Sequence, residues 1–140
     1  MNRKILVIFF LMAVLAIFGL ASCLSNQGSD NAHNSKNSLD WEGVYAGTIP
    51  SASGSGINVR LRLNRDQSFA LSYEYVGRSG GPLNSTGSFK WDDTGNIINL
   101  GIADTPSYYK VAENKLIQLD MKGKPISGNL ADNYVLKKEP

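Results

Sequence analysis

Apolar and polar side chains alternate with a period of two over three stretches of the chain. Ile57, Val59, Leu61 and Leu63 alternate with Asn58, Arg60, Arg62 and Asn64, the pattern of a strand with one buried and one wet face. Phe69, Leu71, Tyr73 and Tyr75 repeat it, with Ser72 and Glu74 opposite. Leu83, Ser85, Gly87, Phe89 and Trp91 follow, opposed by Asn84, Thr86, Ser88 and Lys90. Shorter strands are predicted at 44–49, 96–100, 107–111, 115–120 and 133–137. Between them lie polar turns: Asn64-Arg65-Asp66, Asp92-Asp93-Thr94-Gly95 and Asp120-Met121-Lys122-Gly123. Their glycines suit a positive φ. A longer connection, GRSGGP, spans positions 77–82. After residue 22 no long apolar stripe recurs at helical spacing. The expected fold is all-β: a small antiparallel up-and-down barrel of about eight strands, which hides its edges by closing on itself. A small β-sandwich is the alternative.

The N-terminus breaks this pattern. Arg3 and Lys4 precede a continuous apolar run over positions 5–20, closed by Leu20-Ala21-Ser22-Cys23. A basic head, an apolar stretch and small residues at the cut are the marks of a secretory signal. As a helix the run spans only about 24 Å, at roughly 1.5 Å per residue, short for a membrane crossing. Leu-Ala-Ser-Cys resembles the lipobox of bacterial lipoproteins, in which the cysteine is acylated and becomes the first residue of the mature chain. Cys23 is the only cysteine, and lipidation explains a lone thiol in a secreted protein. An ordinary signal peptide or an uncleaved anchor is the alternative. The chain is thus expected to divide into a signal peptide at 1–22, a lipidated flexible tether at 23–39 and a barrel domain at 40–140.

Charge changes with that division. The chain carries 14 Lys+Arg and 12 Asp+Glu; loss of Arg3 and Lys4 leaves 12 of each. No basic block remains beyond Lys137-Lys138, which argues against nucleic-acid binding; these two lysines are expected as solvated charges at a strand end. Positions 25–38 read SNQGSDNAHNSKNS, too polar to fold alone, with a flexible reach of about 20 Å. His33, the only histidine, sits there without partners at chelating spacing.

Motifs for catalysis are weak. Gly54-Ser55-Gly56 lacks the remainder of a phosphate loop. Ser51, Ser53 and Ser55 have no histidine in the folded part to serve as base. Asp92-Asp93, beside Thr94-Gly95, read as turn formers rather than paired acids. Tyr73, Tyr75, Tyr108 and Tyr109 can pack the core with their hydroxyls at the rim, or line a ligand mouth. No enzyme and no cofactor are expected.

Several segments in order carry a family resemblance. Trp41-Glu42-Gly43-Val44-Tyr45-Ala46-Gly47-Thr48-Ile49-Pro50, then a small-residue loop and Gly56-Ile57, resemble the start of the NlpE N-terminal (copper resistance lipoprotein) domain. The likeness continues through Leu61-Arg62-Leu63-Asn64, Gly87…Trp91, Gly95-Asn96-Ile97-Ile98-Asn99-Leu100 and Glu113-Asn114-Lys115-Leu116. It ends with Leu119-Asp120…Gly123 and Tyr134-Val135-Leu136-Lys137, so that it covers essentially all of 40–138. It implies a lipocalin- or calycin-like barrel on an outer-membrane lipid anchor, linked to envelope stress signalling, surface sensing and copper tolerance. Leu24 rather than Asp after the cysteine points, by the same resemblance, to the outer membrane. Two departures matter. The family's Cys-x-x-Cys falls on Ser51 and Gly54, where no thiolate is available for a soft metal such as Cu(I), so no metal site is expected. The family's longer members also carry a C-terminal domain that is not expected here.

Two functions follow. One is an envelope stress or surface-sensing lipoprotein acting by contact with an envelope protein, favoured by a core filled by Trp41, Phe69, Leu71, Phe89 and Trp91. The other is a periplasmic carrier or sensor of a small apolar ligand, favoured by an open cavity.

Overall fold

The alternating segments fold into antiparallel strands around a single core in the computed structural model, which describes residues 33–52 and 54–140. Its strands are β1 (Gly43–Ser51), β2 (Gly54–Leu63), β3 (Ser68–Tyr75), β4 (Leu83–Ser88), β5 (Lys90–Trp91), β6 (Ile97–Asn99), β7 (Tyr108–Ala112), β8 (Lys115–Gln118) and β9 (Val135–Lys138). They form one sheet in the order β4-β3-β2-β1-β9-β8-β7-β6-β5. Each strand pairs with its sequence neighbour except β4 and β5, which stand at the two ends of the order, and β9 closes onto β1, pairing Tyr45 with Lys138 and Ala46 with Lys137.

The two outer strands of this order, β4 and β5, are halves of the single strand expected at 83–91. They separate at Phe89, whose N–H donates to the Gln67 carbonyl (2.9 Å). Before the break the segment pairs with β3, and after it with β6. A flat strand cannot serve two neighbours that diverge, so the bend nearly closes the sheet into a barrel of eight staves. β4 itself lacks the large inward side chains of the other strands. Gly87 faces Phe69 across the β3–β4 pair, and a Cβ there would lie 3.1 Å from the Phe69 ring; the ring fills the space the glycine leaves.

Period two placed the core correctly. Val59, Leu61, Leu63, Phe69, Leu71, Phe89, Ile98, Tyr109, Val111, Leu116 and Leu136 are all buried in one cluster, while Arg60, Arg62 and Lys110 point outward. The expected turn chemistry also holds at Asp92. Its carboxylate accepts from the N–H groups of Asn96 (3.1 Å) and Ile97 (2.9 Å) and from the Thr94 hydroxyl (2.7 Å). Partial burial works to raise this carboxyl's pKa, but the hydrogen bonds prevail and hold it below the usual range. Gly95 in the same turn has φ +68°, where a side chain would be strained.

The tether expected over 23–39 is corrected in its last part. The compact unit begins at His33, and a single helical turn, α1 (Ser35–Ser38), packs on the barrel. The Ser35 hydroxyl donates to the Val111 carbonyl (2.7 Å), the Ser35 N–H donates to the Asn96 side chain (3.0 Å), and the Lys36 N–H donates to the Gly95 carbonyl (2.9 Å). Composition could not show this, because polar residues bury well when a folded surface supplies their partners. Lys138 is corrected likewise. Rather than standing in solvent, its ammonium donates to the Asp40 carbonyl (2.6 Å) and pairs with the Asp40 carboxylate (3.0 Å), fastening the last strand to the approach of the first.

Candidate functional site

Strand direction gives the barrel two distinct ends. At one lie the tight turns 64–67, 92–96 and 113–114, and α1 docks on the second of them through Gly95 and Asn96. There Trp41, Phe89 and Trp91 make mutual edge-to-face contacts, with ring centroids 5.8, 5.5 and 6.1 Å apart. The Trp41 indole donates to the Lys36 carbonyl (3.1 Å), and the Tyr45 hydroxyl donates to the Trp41 carbonyl (2.7 Å). This end is filled. At the other end lie the β1–β2 hairpin and the loops 76–82, 100–107 and 119–134, and the interior there is open.

The open end holds a cavity of about 430 Å³, lined by Ile49, Pro50, Ile57, Leu71, Tyr73, Tyr75, Leu83, Ser85, Asp104, Thr105, Pro106, Gln118 and Tyr134. This volume is in the range of small-molecule sites. Its walls are the mouth-side inward positions of β1, β2, β3 and β4, and the loop carrying Asp104 to Pro106 completes them beside β4. The cross-strand row Trp91–Ile98–Tyr109–Gln118 climbs from the filled end to the cavity, as the tilt of barrel strands requires.

A short polar relay lies at the side of the cavity. The Tyr109 and Tyr73 hydroxyls are 3.0 Å apart, and Tyr73 reaches the Pro106 carbonyl at 3.5 Å. Tyr109 therefore donates to Tyr73, and Tyr73 donates to Pro106. Burial raises the pKa of both phenols, that of Tyr109 well above the ordinary value; the hydrogen bond from Tyr109 partly offsets the rise at Tyr73. Both stay neutral at any physiological pH. Beside Tyr109, on the next strand, Gln118 is only 3% exposed, and its side-chain carbonyl oxygen accepts no hydrogen bond. An unmet buried acceptor costs about 1–3 kcal/mol. The buried Trp91 N–H also lacks a partner and sits in the filled aromatic cluster; Gln118 is among the residues lining the cavity, but its unpartnered oxygen is itself sealed from solvent.

Of the four tyrosines singled out in the sequence, Tyr73 and Tyr75 line the cavity, Tyr109 supports it from the core, and Tyr108 packs against Gly123. Tyr134 and Gln118 are further lining residues that the sequence reading did not single out. The signal for Gln118 was its phase: it shares the inward face of β8 with Leu116, where a polar residue is out of place. Ser51 and Gly54 are paired across the β1–β2 hairpin. His33 is exposed. Cys23 lies outside the described residues, among which no three His, Cys, Asp or Glu side chains gather closely enough to hold a metal ion.

This fold and site define a small, lipocalin-like up-and-down barrel, plugged at one end and open at the other. The model of the NlpE N-terminal domain matches residues 45–129, and the chain belongs to that family. Lipoprotein NlpE of Escherichia coli (strain K12) is 27% identical over 133 residues, which are 90% of this chain and 54% of that protein. The chain thus spans about half the length of this relative. A crystal structure described as that of a lipoprotein from Shewanella oneidensis superposes with a TM-score of 0.70 at 43% identity, covering 76% of this chain and 96% of that one. The crystal structure of the Cpx pathway activator NlpE from Escherichia coli shares the fold, with a TM-score of 0.51 at 23% identity over 62% of this chain and 46% of that one.

Proposed function

We propose that this protein is a non-enzymatic lipoprotein, anchored to the outer membrane through acylated Cys23, whose barrel reports on the state of the envelope by contact with a partner protein. The observation that carries this reading is where the large exposed apolar side chains fall. Tyr75, Val76, Leu83, Met121 and Leu130 are exposed, and every one belongs to the mouth end, opposite the end where the chain joins the barrel through α1. Grouped exposed apolar side chains mark contact surfaces more often than scattered ones do. Family membership and the name of the relative that activates the Cpx pathway supply the signalling context. The test is a Cpx-responsive reporter in an Escherichia coli strain lacking its own NlpE. Overproducing this chain should raise the reporter, Leu83→Asp with Leu130→Asp should lose the response at equal protein level, and Cys23→Ala should abolish fatty-acid labelling. A response that survives the double substitution refutes the mouth as the contact surface.

Copper is left out of this reading. Ser51 and Gly54 face each other across the hairpin, and a Cβ on Gly54 meets nothing within 4 Å, so the frame accepts two thiols that the sequence does not supply. Ser51→Cys with Gly54→Cys should gain Cu(I) affinity, with either single substitution gaining little. Tight stoichiometric copper binding by the unaltered chain would contradict the assignment.

A second reading is favoured by the cavity itself, about 430 Å³ and lined by Ile49, Ile57, Leu71, Tyr73 and Leu83: the mouth holds a small, largely apolar ligand, and the state of the envelope is sensed through its occupancy.

A further inference from the structure

Four lysines scattered through the sequence come together on one outer face of the barrel. Lys90, Lys110, Lys115 and Lys137 are exposed, on β5, β7, β8 and β9. The outward row Ile97–Lys110–Ile117–Val135 crosses β6 to β9 residue against residue, and in the next row Lys115 directly opposes Lys137. Like charges so placed repel, and nothing nearby neutralises them. Among the described residues the ion pairs are Arg60–Glu139, Arg65–Glu42 and Lys138–Asp40, none of which involves these four lysines. The carboxylates between residues 90 and 138 all belong to turns and loops, and no outward strand position of this face carries one. We propose that this face, β5 to β9, rests on an anionic phospholipid surface, that of the membrane in which Cys23 is anchored; the inference rests on the lipid anchor proposed above.

Three features favour a lipid surface. The first is breadth. Five adjacent strands span roughly 19 Å, at about 4.8 Å between neighbours, which is too wide for a single phosphate and suits a plane of them. Lysine, a mobile point charge rather than a rigid fork, suits headgroups that have no fixed geometry. The second is the floor between the charges. Ile97, Ile117 and Val135 are half-buried there, so the lysine stems can lie along apolar surface while their ammoniums reach outward to phosphate. The third is the chain itself. His33, where the compact unit begins, lies ten residues after Cys23, a stretch that reaches about 36 Å at most. A lipid on Cys23 therefore keeps the barrel within roughly its own width of the bilayer. The chain also enters beside this face, since α1 is held by Gly95, Asn96 and Val111, next to Ile97 and Lys110. Docked in this way the barrel lies on its side, and its mouth, with Leu83 exposed at the rim, opens along the membrane, where a membrane-embedded partner would meet it.

The test uses the full-length lipidated protein inserted in vesicles of phosphatidylcholine, alone or mixed equally with phosphatidylglycerol. Cys23 is the only cysteine, so once it is acylated a single introduced cysteine is the only free thiol. Ile117→Cys, at the centre of the face, should react with a membrane-impermeant maleimide about tenfold more slowly on anionic than on neutral vesicles. Thr86→Cys, outward on β4, should react equally on both. Molar salt should remove the difference, because the Debye length falls to about 3 Å. In the Ile117→Cys background, Lys110→Glu with Lys137→Glu should restore fast reaction on anionic vesicles, and Lys110→Arg with Lys137→Arg should keep the protection. The rate on neutral vesicles is each variant's own control for folding. Equal rates for Ile117→Cys on both vesicles, with acylation of Cys23 verified by intact mass, overturn the docking and leave the anchor standing; an unacylated Cys23 overturns both. Equal protection of Ile117→Cys and Thr86→Cys overturns the choice of face. Protection in native membranes but not on anionic lipid gives the face to an acidic protein and overturns the lipid assignment.

Discussion

The two ends of this barrel are built from the same alternating strands and reach opposite solutions. At the plugged end the inward positions carry Trp41, Phe89 and Trp91 in edge-to-face contact, the turns are short, and α1 fits its polar backbone onto Val111, Asn96 and Gly95. The Tyr45 hydroxyl there is pushed up to about 12 by burial first and by Asp40 second, and it stays a neutral donor to the Trp41 carbonyl. At the mouth the inward positions shrink to Ser85 or turn polar at Gln118, the loops are long, and large apolar side chains are exposed. A stable β-barrel needs only enough buried surface to hold its strands together. Concentrating that surface at one end leaves the other open, at the cost of an unmet polar group and exposed apolar side chains.

Substitutions that ignore this asymmetry should have unequal effects. The largest belongs to the plugged end: Phe89→Ala should lose about 3–5 kcal/mol and Leu61→Ala about 2–5 kcal/mol in denaturant unfolding, whereas Arg62→Ala and the rim change Leu83→Ala should each stay within about 0.5 kcal/mol. Comparable losses at Leu61 and Arg62 would mean that β2 has the wrong face inward. Next is the plug. Ser35→Ala removes the donor to Val111 and should cost about 1–3 kcal/mol; no loss would return residues 34–39 to the status of a tether. At the mouth the sign reverses. Gln118→Leu removes an unmet carbonyl and should raise stability by about 1 kcal/mol when no ligand is present, and a marked loss would show that the cavity is well hydrated around the amide.

Acid titration should bring a smaller change, set by turns at both ends. Asp92 and Asp66 sit in turns at the plugged end, and Asp120 sits in a loop at the mouth. Their carboxyls are held below the ordinary 3.8, Asp66 by Ser68 and Asp120 by the N–H groups of Lys124 and Lys122. A lowered folded pKa stabilises above the unfolded value and is lost as pH falls through the folded one. Stability should therefore hold from neutrality to about pH 4 and decline below it. Asp92→Asn should flatten part of that decline, and a midpoint that moves with pH between 5 and 7 would point to other groups.

Much of the fold was legible because a strand's faces alternate by covalent geometry, independently of anything distant. The inward set on β2 and β3, the Asp92 turn and the barrel class all came from spacing alone. The site was half legible. Tyr73 and Tyr75 stood out as aromatic residues on an inward face, and Gln118 left only a phase anomaly on a four-residue strand. The plug was invisible, since Asn34 to Ser38 are polar and look like linker until Gly95, Asn96 and Val111 are brought beside them.

The sequence by itself determined which side of each strand faces inward, where the turns fall, and that the hairpin carries Ser51 and Gly54 with no thiol between β1 and β2. Each of these depends on residues within a few positions of one another. Tertiary structure alone decided that β9 closes onto β1, that the segment 83–91 divides at Phe89 between two partners, and that α1 plugs one end while the other stays open. It alone decided that the Gln118 carbonyl goes unmet. Each of these is a relation between groups tens of residues apart, and a side chain's partners exist only once the barrel has brought them into reach.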